Sequence, residues 1–316
     1  MRVFWLMLVA LLASAPFWLD RGLLILGVEV LVIVSLAQAW NLLAGYGGLL
    51  SLGHHALFGV GGYALFVMTR DLPIHPYLAV PLAGLVTAAV ALLLAPILLR
   101  LREVYFAVGM WVAAEIIRIL VMRTEWMGSN NGLPLYAART LDRDWIGSAT
   151  FWLALALAVG TITLTGYLMA GRLGLRLRAL RDDEMAARSI GIAPARVRMT
   201  VFLISAAVAG MAGSISFLSA MFITPLAAFD VTWMVTVVFV TVIGGIGRLS
   251  GPVFGAILYF ALREMLAFSP GWYLVIMGAT AIAVMLFAPG GIAGLVDRLL
   301  AAMRSRVAPG RKDATP

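Results

Sequence analysis

Long apolar stretches separated by short charged or turn-forming breaks dominate this chain. They fall at roughly 3–19, 22–43, 48–68, 77–99, 104–122, 150–170, 200–222, 231–247, 252–268 and 271–288, each close to the ~20 residues that a helix needs to cross a bilayer core. The breaks coincide with charge or turn signals: Asp20 and Arg21, then 44–47, 70–76, 100–102, and Ser269 with Pro270. The pattern predicts an all-α, polytopic membrane protein of about ten helices. The first stretch, MRVFWLMLVALLASA, has the look of a secretory leader with a cleavage site at Ala13, Ser14 and Ala15. A second apolar span follows almost at once and Pro16 would follow the cut, so the first helix is expected to be retained.

Two segments interrupt the apolar rhythm. Residues 41–63, NLLAGYGGLLSLGHHALFGVGGY, carry seven glycines together with Asn41, Ser51, His54 and His55. Glycine costs about 1 kcal/mol at a helix-interior position, so this is no efficient simple span. Small residues let helices approach closely, and broken helices also line polar cavities in membranes. Both readings stand. The run GGIGRLSGP at 244–252 is a second, weaker break.

The stretch 171–199, GRLGLRLRALRDDEMAARSIGIAPARVRM, carries seven of the 23 basic residues: Arg172, Arg176, Arg178, Arg181, Arg188, Arg196 and Arg198. Basic loops are retained on the cytoplasmic side, which places this stretch, both termini, Arg100 and Arg102 inside, and the loop 123–150 outside. Asp182, Asp183 and Glu184 open a short helical run, Gly191 ends it, and Pro194 blocks its easy continuation. An Arg-rich loop of this kind sets topology and meets anionic lipid; a defined helix within it also fits a surface that touches a partner.

Composition narrows the function. Of 316 residues, 63% are apolar and 12% charged, against about 25% charged in a soluble domain. The net charge of +8 is concentrated in 171–199 and in the tail, so it reports orientation and lipid contact, with no basic soluble face for nucleic acid. The chain has no cysteine, which excludes disulfides, thiolate metal sites and cysteine nucleophiles. Its one lysine, Lys312, lies in the polar tail, so there is no Walker A loop. With His54, His55 and a distant His75, the histidines do not converge as a metal site requires, and no metal or cofactor is expected. No G-x-S-x-G elbow or H-E-x-x-H helix is present, so catalysis by this chain is not expected. Within the spans, Glu115 and Arg118 are spaced to pair on one helix face, Arg263 and Glu264 point apart, and Glu29 has no basic neighbour in sequence. The loop WMGSNNGLP at 126–134 reads as a turn, or as amide and hydroxyl groups at an entry vestibule.

Taken together, NLLAGYGGLLSLGHHALFGVGGYA, LREVYFAVGMWVAAEIIR, GSNNGLP, GRLGLRLRALRDDEMAARSIGI and VIGGIGRLSGPVFGAIL resemble the permease subunits of branched-chain amino-acid ABC importers, most like the M-type subunit, over about residues 25–295. The resemblance implies a type II importer-like fold in the bacterial inner membrane, with both termini cytoplasmic. It also implies two ATP-hydrolysing subunits, a second homologous permease and an external substrate-binding protein as partners. A permease domain would cover 1–298, with its coupling loop at 171–199 and a basic cytoplasmic tail at 299–316. Glu184, Ala186, Ala187 and Gly191 match the E-x-A-A-x-x-x-G form of importer coupling motifs, with Met185 intervening where Glu-Ala-Ala is usual. The family's SLGHAAF is here SLGHHALF, with His55 at a small-residue position. The implied ATPase-docking residues are Arg181, Asp182, Glu184, Ala187, Gly191 and Pro194. The substrate-pathway residues are Asn41, Gly45, Ser51, His54, Ser129 and Asn130. Amide or urea importers have similar permeases, and a stand-alone ion-coupled transporter with Glu29 as coupling carboxylate is the reading from a different class.

Overall fold

A computed structural model describes residues 2–72, 74–101, 104–139, 143–266, 270–288 and 290–295. The expected basic tail at 299–316 and Arg102 lie outside the described residues. Helices follow the apolar pattern closely: α1 (Arg2–Ala13), α2 (Arg21–Trp40), α3 (His54–Asp71), α4 (Pro76–Leu98), α5 (Val104–Arg123) and α6 (Arg143–Ala170). Two short helices, α7 (Arg172–Asp182) and α8 (Glu184–Ser189), precede α9 (Pro194–Ala220), a one-turn α10 (Pro225–Ala228), α11 (Val231–Gly244), α12 (Gly251–Met265) and α13 (Pro270–Phe287). Seven helical segments among the described residues are long and apolar enough to cross a membrane. The chain is an all-α, multi-pass membrane protein.

The chain forms two compact units, Met1–Val238 and Phe239–Pro316. In the first, α9 is the central helix and packs against α2, α3, α4 and α6. Its inward face alternates small residues with bulk: Val201, Phe202, Ala206, Ala209, Ala212 and Leu218 are all buried. The closest approach is to α3, where a side chain on Gly61 would overlap the backbone of Gly210. In bilayer, where lipid tails are as apolar as leucine, such close backbone packing is the main attraction between helices. Phe58 of α3 meets Phe217 of α9 edge-on at 5.7 Å, filling the space beside the glycines.

The third apolar stretch, read at 48–68, is broken, in line with the glycine-rich interruption noted at 41–63. α2 runs into a π-helical turn (Asn41–Tyr46), residues 47–53 are irregular, and α3 begins only at His54. The cause is the local sequence: Gly48 adopts φ +68°, a left-handed conformation that interrupts the helix, with Gly47 and Gly53 on either side. At the other end of this unit, the loop 124–139 folds into short 3₁₀ turns and a two-residue strand, β1 (Leu133–Pro134). β1 pairs antiparallel with β2 (Phe222–Ile223), so the loop is tied to the end of α9.

In the second unit, the end of α11 lies against α12: a side chain on Gly255 would run into the Val240 carbonyl, and Phe239 meets Tyr259 edge-on at 5.9 Å. Arg263 and Glu264 were expected to face apart. Instead the flexible Arg263 head lies over the Phe260 ring at 4.6 Å and comes within 3.9 Å of Glu264.

The α3–α9 contact generates a stability prediction. Gly61→Leu overpacks a backbone–backbone approach and should cost about 3 kcal/mol or more. Gly160→Leu, on an open face of α6, should be near neutral. Thermal unfolding in detergent checks both, and equal midpoints for the two variants would contradict the packing role.

Candidate functional site: the Arg-rich hairpin and the helix break it touches

The stretch 171–199 folds as two helices, not one. α7 is amphipathic: Gly174, Leu177 and Leu180 face inward while Arg172, Arg176 and Arg178 face out. The reason is the helical spacing of the two leucines with arginines on the remaining faces. Asp183 interrupts the helix in extended backbone and caps the next one, its Oδ1 accepting from the Met185 and Ala186 N–H groups at 2.8 and 3.0 Å. α8 then runs for a turn and a half.

Its end is a Schellman motif. Gly191 takes φ +85°, the Gly191 N–H donates to the Arg188 carbonyl at 3.0 Å, and the Ile192 N–H donates to the Ala187 carbonyl at 3.1 Å. Pro194 then supplies the first turn of α9, where a missing N–H is harmless.

Glu184 fastens α8 to the base of α9. Its carboxylate accepts from Arg188 at 2.6 Å and from Arg198 at 2.8 Å. Burial alone would raise its pKa, but the hydrogen bonds from Arg198 and Arg188 outweigh that and hold the carboxyl below the ordinary glutamate value. α7 is fastened to α6 by Arg178, which donates to the Met169 carbonyl at 2.9 Å.

Ala187 is buried against the protein, whereas Met185 and Ile190 project outward at 73% and 75% exposure. Arg181 and Asp182 are exposed, and Pro194 is half-buried. The apolar tip was not among the expected contact residues. Its signal was present in sequence only as Met185 breaking the usual Glu-Ala-Ala run, and Arg198 was hidden because Gly191 and Pro194 interrupt any helical spacing to Glu184.

Arg181 connects this element to the helix break. Its Nη1 lies 3.5 Å from the Gly45 carbonyl, at the outer limit of a hydrogen bond, and Gly45 lies in the π-helical turn. Asn41 is fully buried at the first position of that turn, and Gly45 is buried within it. Ser51 and His54 are fully buried too, in a polar chain. Trp40 Nε1 donates to the Ser51 carbonyl at 2.8 Å, His54 Nδ1 faces Ser51 Oγ at 3.4 Å, and His54 Nε2 faces Ser205 Oγ at 2.9 Å. Ser205 donates in turn to the Ala39 carbonyl at 2.6 Å. The structure therefore brings Ser51 and His54 together with Ser205 of α9, a residue that no sequence pattern distinguishes, and places Asn41 and Gly45 in the adjoining π-helical turn. Ser129 and Asn130 sit apart from them in the loop 124–139, with Ser129 Oγ donating to the Met122 carbonyl at 2.9 Å. Among the described residues no group of His, Asp or Glu is arranged to hold a metal.

Comparison with known proteins bears directly on this arrangement. Residues 23–285 match the family described as branched-chain amino acid transport system / permease component. The chain belongs to this permease family. It is 30% identical to the high-affinity branched-chain amino acid transport system permease protein LivM of Escherichia coli, over 91% of this chain and 74% of the relative. The corresponding LivM of Salmonella typhimurium is 28% identical over 92% of this chain and 74% of the relative. A probable branched-chain amino acid transport permease protein LivH of Methanocaldococcus jannaschii is 25% identical over 75% and 80%. No solved structure matches the chain. In this permease, both the expected docking residues and the glycine-rich break belong to one connected region.

The lowered Glu184 value sets a pH dependence. A carboxyl held below its ordinary value contributes stability above that value and loses it as pH falls through the lowered one. Protection of the α8 amides against hydrogen exchange, corrected for intrinsic rates, should hold from pH 8 to 5 and fall only below about 4, beneath the ordinary glutamate pKa. Loss of protection between pH 7 and 5 would contradict the two-arginine clasp.

Proposed function

We propose that this permease is the transmembrane subunit of an ATP-driven importer for branched-chain or related small amino acids. It forms the pathway with a second homologous permease, while two separate ATP-binding subunits hydrolyse ATP and an external protein delivers substrate. It sits in the bacterial inner membrane with both termini and the α7–α8 hairpin on the cytoplasmic side, as the Arg-rich hairpin favours. The single observation that carries the docking role is the α8 turn: a capped, clasped helix with an outward apolar tip at Met185 and Ile190.

In this reading Met185 and Ile190 enter a groove on an ATPase subunit, with Arg181 and Asp182 at its rim. Glu184, Ala187, Gly191 and Pro194 shape the helix from behind. A rigid-body shift of the ATPase moves α8, and the clasp to α9 and the Arg181 approach to Gly45 carry that shift into the helix break. ATP binding then biases an inward–outward equilibrium, provided it favours one arrangement of the hairpin. Asn41, Gly45, Ser51 and His54 form the buried hinge region of the pathway wall, and Ser129 and Asn130 lie at its outer mouth. The permease itself supplies no catalytic group. The relatives named for branched-chain amino acid transport favour that substrate class over urea or simple amides.

Gly191→Trp is the direct test. Space around Gly191 is open, but φ +85° strains any residue with a side chain and places an indole beside the tip. The variant should insert and co-purify with the second permease, while ATP-driven leucine uptake falls at least about tenfold, as when a bound interface loses a few kcal/mol. Uptake at the level of the unaltered transporter would contradict the docking role.

A further inference from the structure

Midway along α5, Arg118 and Glu115 form a two-pronged ion pair. Arg118 Nε donates to Glu115 Oε2 at 2.9 Å, and Nη2 donates to Glu115 Oε1. Neither residue is enclosed: the Glu115 side chain is 47% exposed and that of Arg118 27%. They share a helix face with Trp111, which is also exposed. Charged groups inside a bilayer are costly against lipid and persist where they face protein or a watery path. Such a stripe is better satisfied against protein or a watery path than against hydrocarbon.

Two further elements of the same compact unit bring polar groups to it. His55, in the first turn of α3, is buried, and its Nδ1 has no hydrogen-bond partner among the described residues. Beside His55, a side chain on Gly53 would run into the Met110 carbonyl of α5, and Phe58 lies 4.5 Å from Trp233 of α11, so the first turns of α3 sit beside the stretches that carry Glu115 and Asp230. Asp230 stands in the interruption between α10 and α11, a broken helix held to α3 by Phe229 stacking on Tyr63 at 5.9 Å. The Asp230 carboxylate is exposed; its Oδ1 accepts from the Thr232 N–H at 2.7 Å, leaving Oδ2 available. α5 packs against both α3 and α10.

We propose that Glu115, Arg118, Asp230 and His55 form a station for a zwitterionic amino acid on its way through the permease, a reading that rests on the importer function above. The donor inventory fits. A guanidinium has five N–H donors; Arg118 spends two on Glu115 and one on Met122 Sδ at 3.2 Å, leaving two for a substrate α-carboxylate. The α-ammonium is taken by the free oxygen of Asp230 and the open Glu115 side, with the buried His55 ring behind them. Trp111 offers an apolar wall to the substrate side chain. A neutral solute such as urea satisfies neither charge, so the station selects molecules that carry both. His55, expected to narrow or polarise what the break lines, acts here as the polar group behind the carboxylates.

The experiment uses the whole reconstituted transporter with its ATPases, second permease and binding protein. A diazirine analogue of leucine, which keeps both the ammonium and the carboxylate, is irradiated during ATP-driven turnover, and labelled peptides are mapped by mass spectrometry. Labels within 108–118 or 226–233, removed by excess L-leucine, are expected. Accumulation of the analogue in the vesicles with labels confined to other spans overturns the station and leaves the importer reading intact. No ATP-driven accumulation of leucine or the analogue by the unaltered complex overturns the importer reading itself, and the station with it. As a second arm, the E115Q/R118Q double variant removes both charges without leaving one unpaired. It should assemble normally and lower leucine uptake by about tenfold or more, the scale of a lost charged hydrogen bond. Unchanged uptake overturns the assignment.

Discussion

A helix broken inside a bilayer must find partners for its freed backbone groups within the protein, because lipid offers none. This constraint governs the first compact unit. Where α2 gives way to the π-helical turn and the irregular residues 47–53, the indole of Trp40 takes the Ser51 carbonyl and Ser205 takes the Ala39 carbonyl. His54 bridges Ser51 and Ser205, so one imidazole ties the irregular segment to the central helix. Its environment is wholly buried, and each of these polar atoms answers another.

The same logic extends to the Arg-rich hairpin. α8 is too short to persist by helix propensity, since an isolated helix of its length is marginal in water. It is held by its ends and by its clasp: an aspartate cap, a glycine-terminated Schellman turn, and Glu184 shared between Arg188 and Arg198. An element fixed in this way moves as a body, which a partner that pushes on its tip requires. Arg181, reaching toward Gly45, is where that body meets the break. In the docking reading proposed above, the permease joins a lever at one surface to a segment of its spans that is not regular helix.

Much of this was legible in sequence. The apolar runs placed most of the long helices to within a few residues, and the acids Asp182, Asp183 and Glu184, with Gly191 and Pro194, marked the ends of α8 by their ordinary end chemistry. The family resemblance, carried by five separate segments, pointed to the permease class. What stayed hidden was long-range. Nothing local distinguishes Ser205 from other hydroxyls in spans, yet its partner lies 151 residues away. Glu184 and Arg198 are 14 apart across a turn, so no helical period relates them. The α7 helix was missed because its two inward leucines are outnumbered by arginines, and although the glycines of 41–63 signalled a break, hydropathy did not show that regular helix resumes only at His54. The nearness of α3 to the segment around Asp230, where Phe58 meets Trp233 and Tyr63 meets Phe229, is set by the fold alone.

The central claim is that the α8 tip seats on an ATPase subunit and shares its motion with the helix break. The chain has no cysteine, so a single Met185→Cys substitution provides a unique thiol at the tip. Cross-linking of that variant within the assembled transporter with a maleimide–benzophenone reagent, whose photoactivated end inserts into a nearby C–H bond and needs no second thiol, followed by peptide mapping, tests the claim most directly. The account predicts a cross-link to an ATPase subunit whose yield changes between nucleotide-free and ATP-trapped states. A thiol that labels freely with a water-soluble maleimide in the intact complex, with no cross-link in either state, would contradict it.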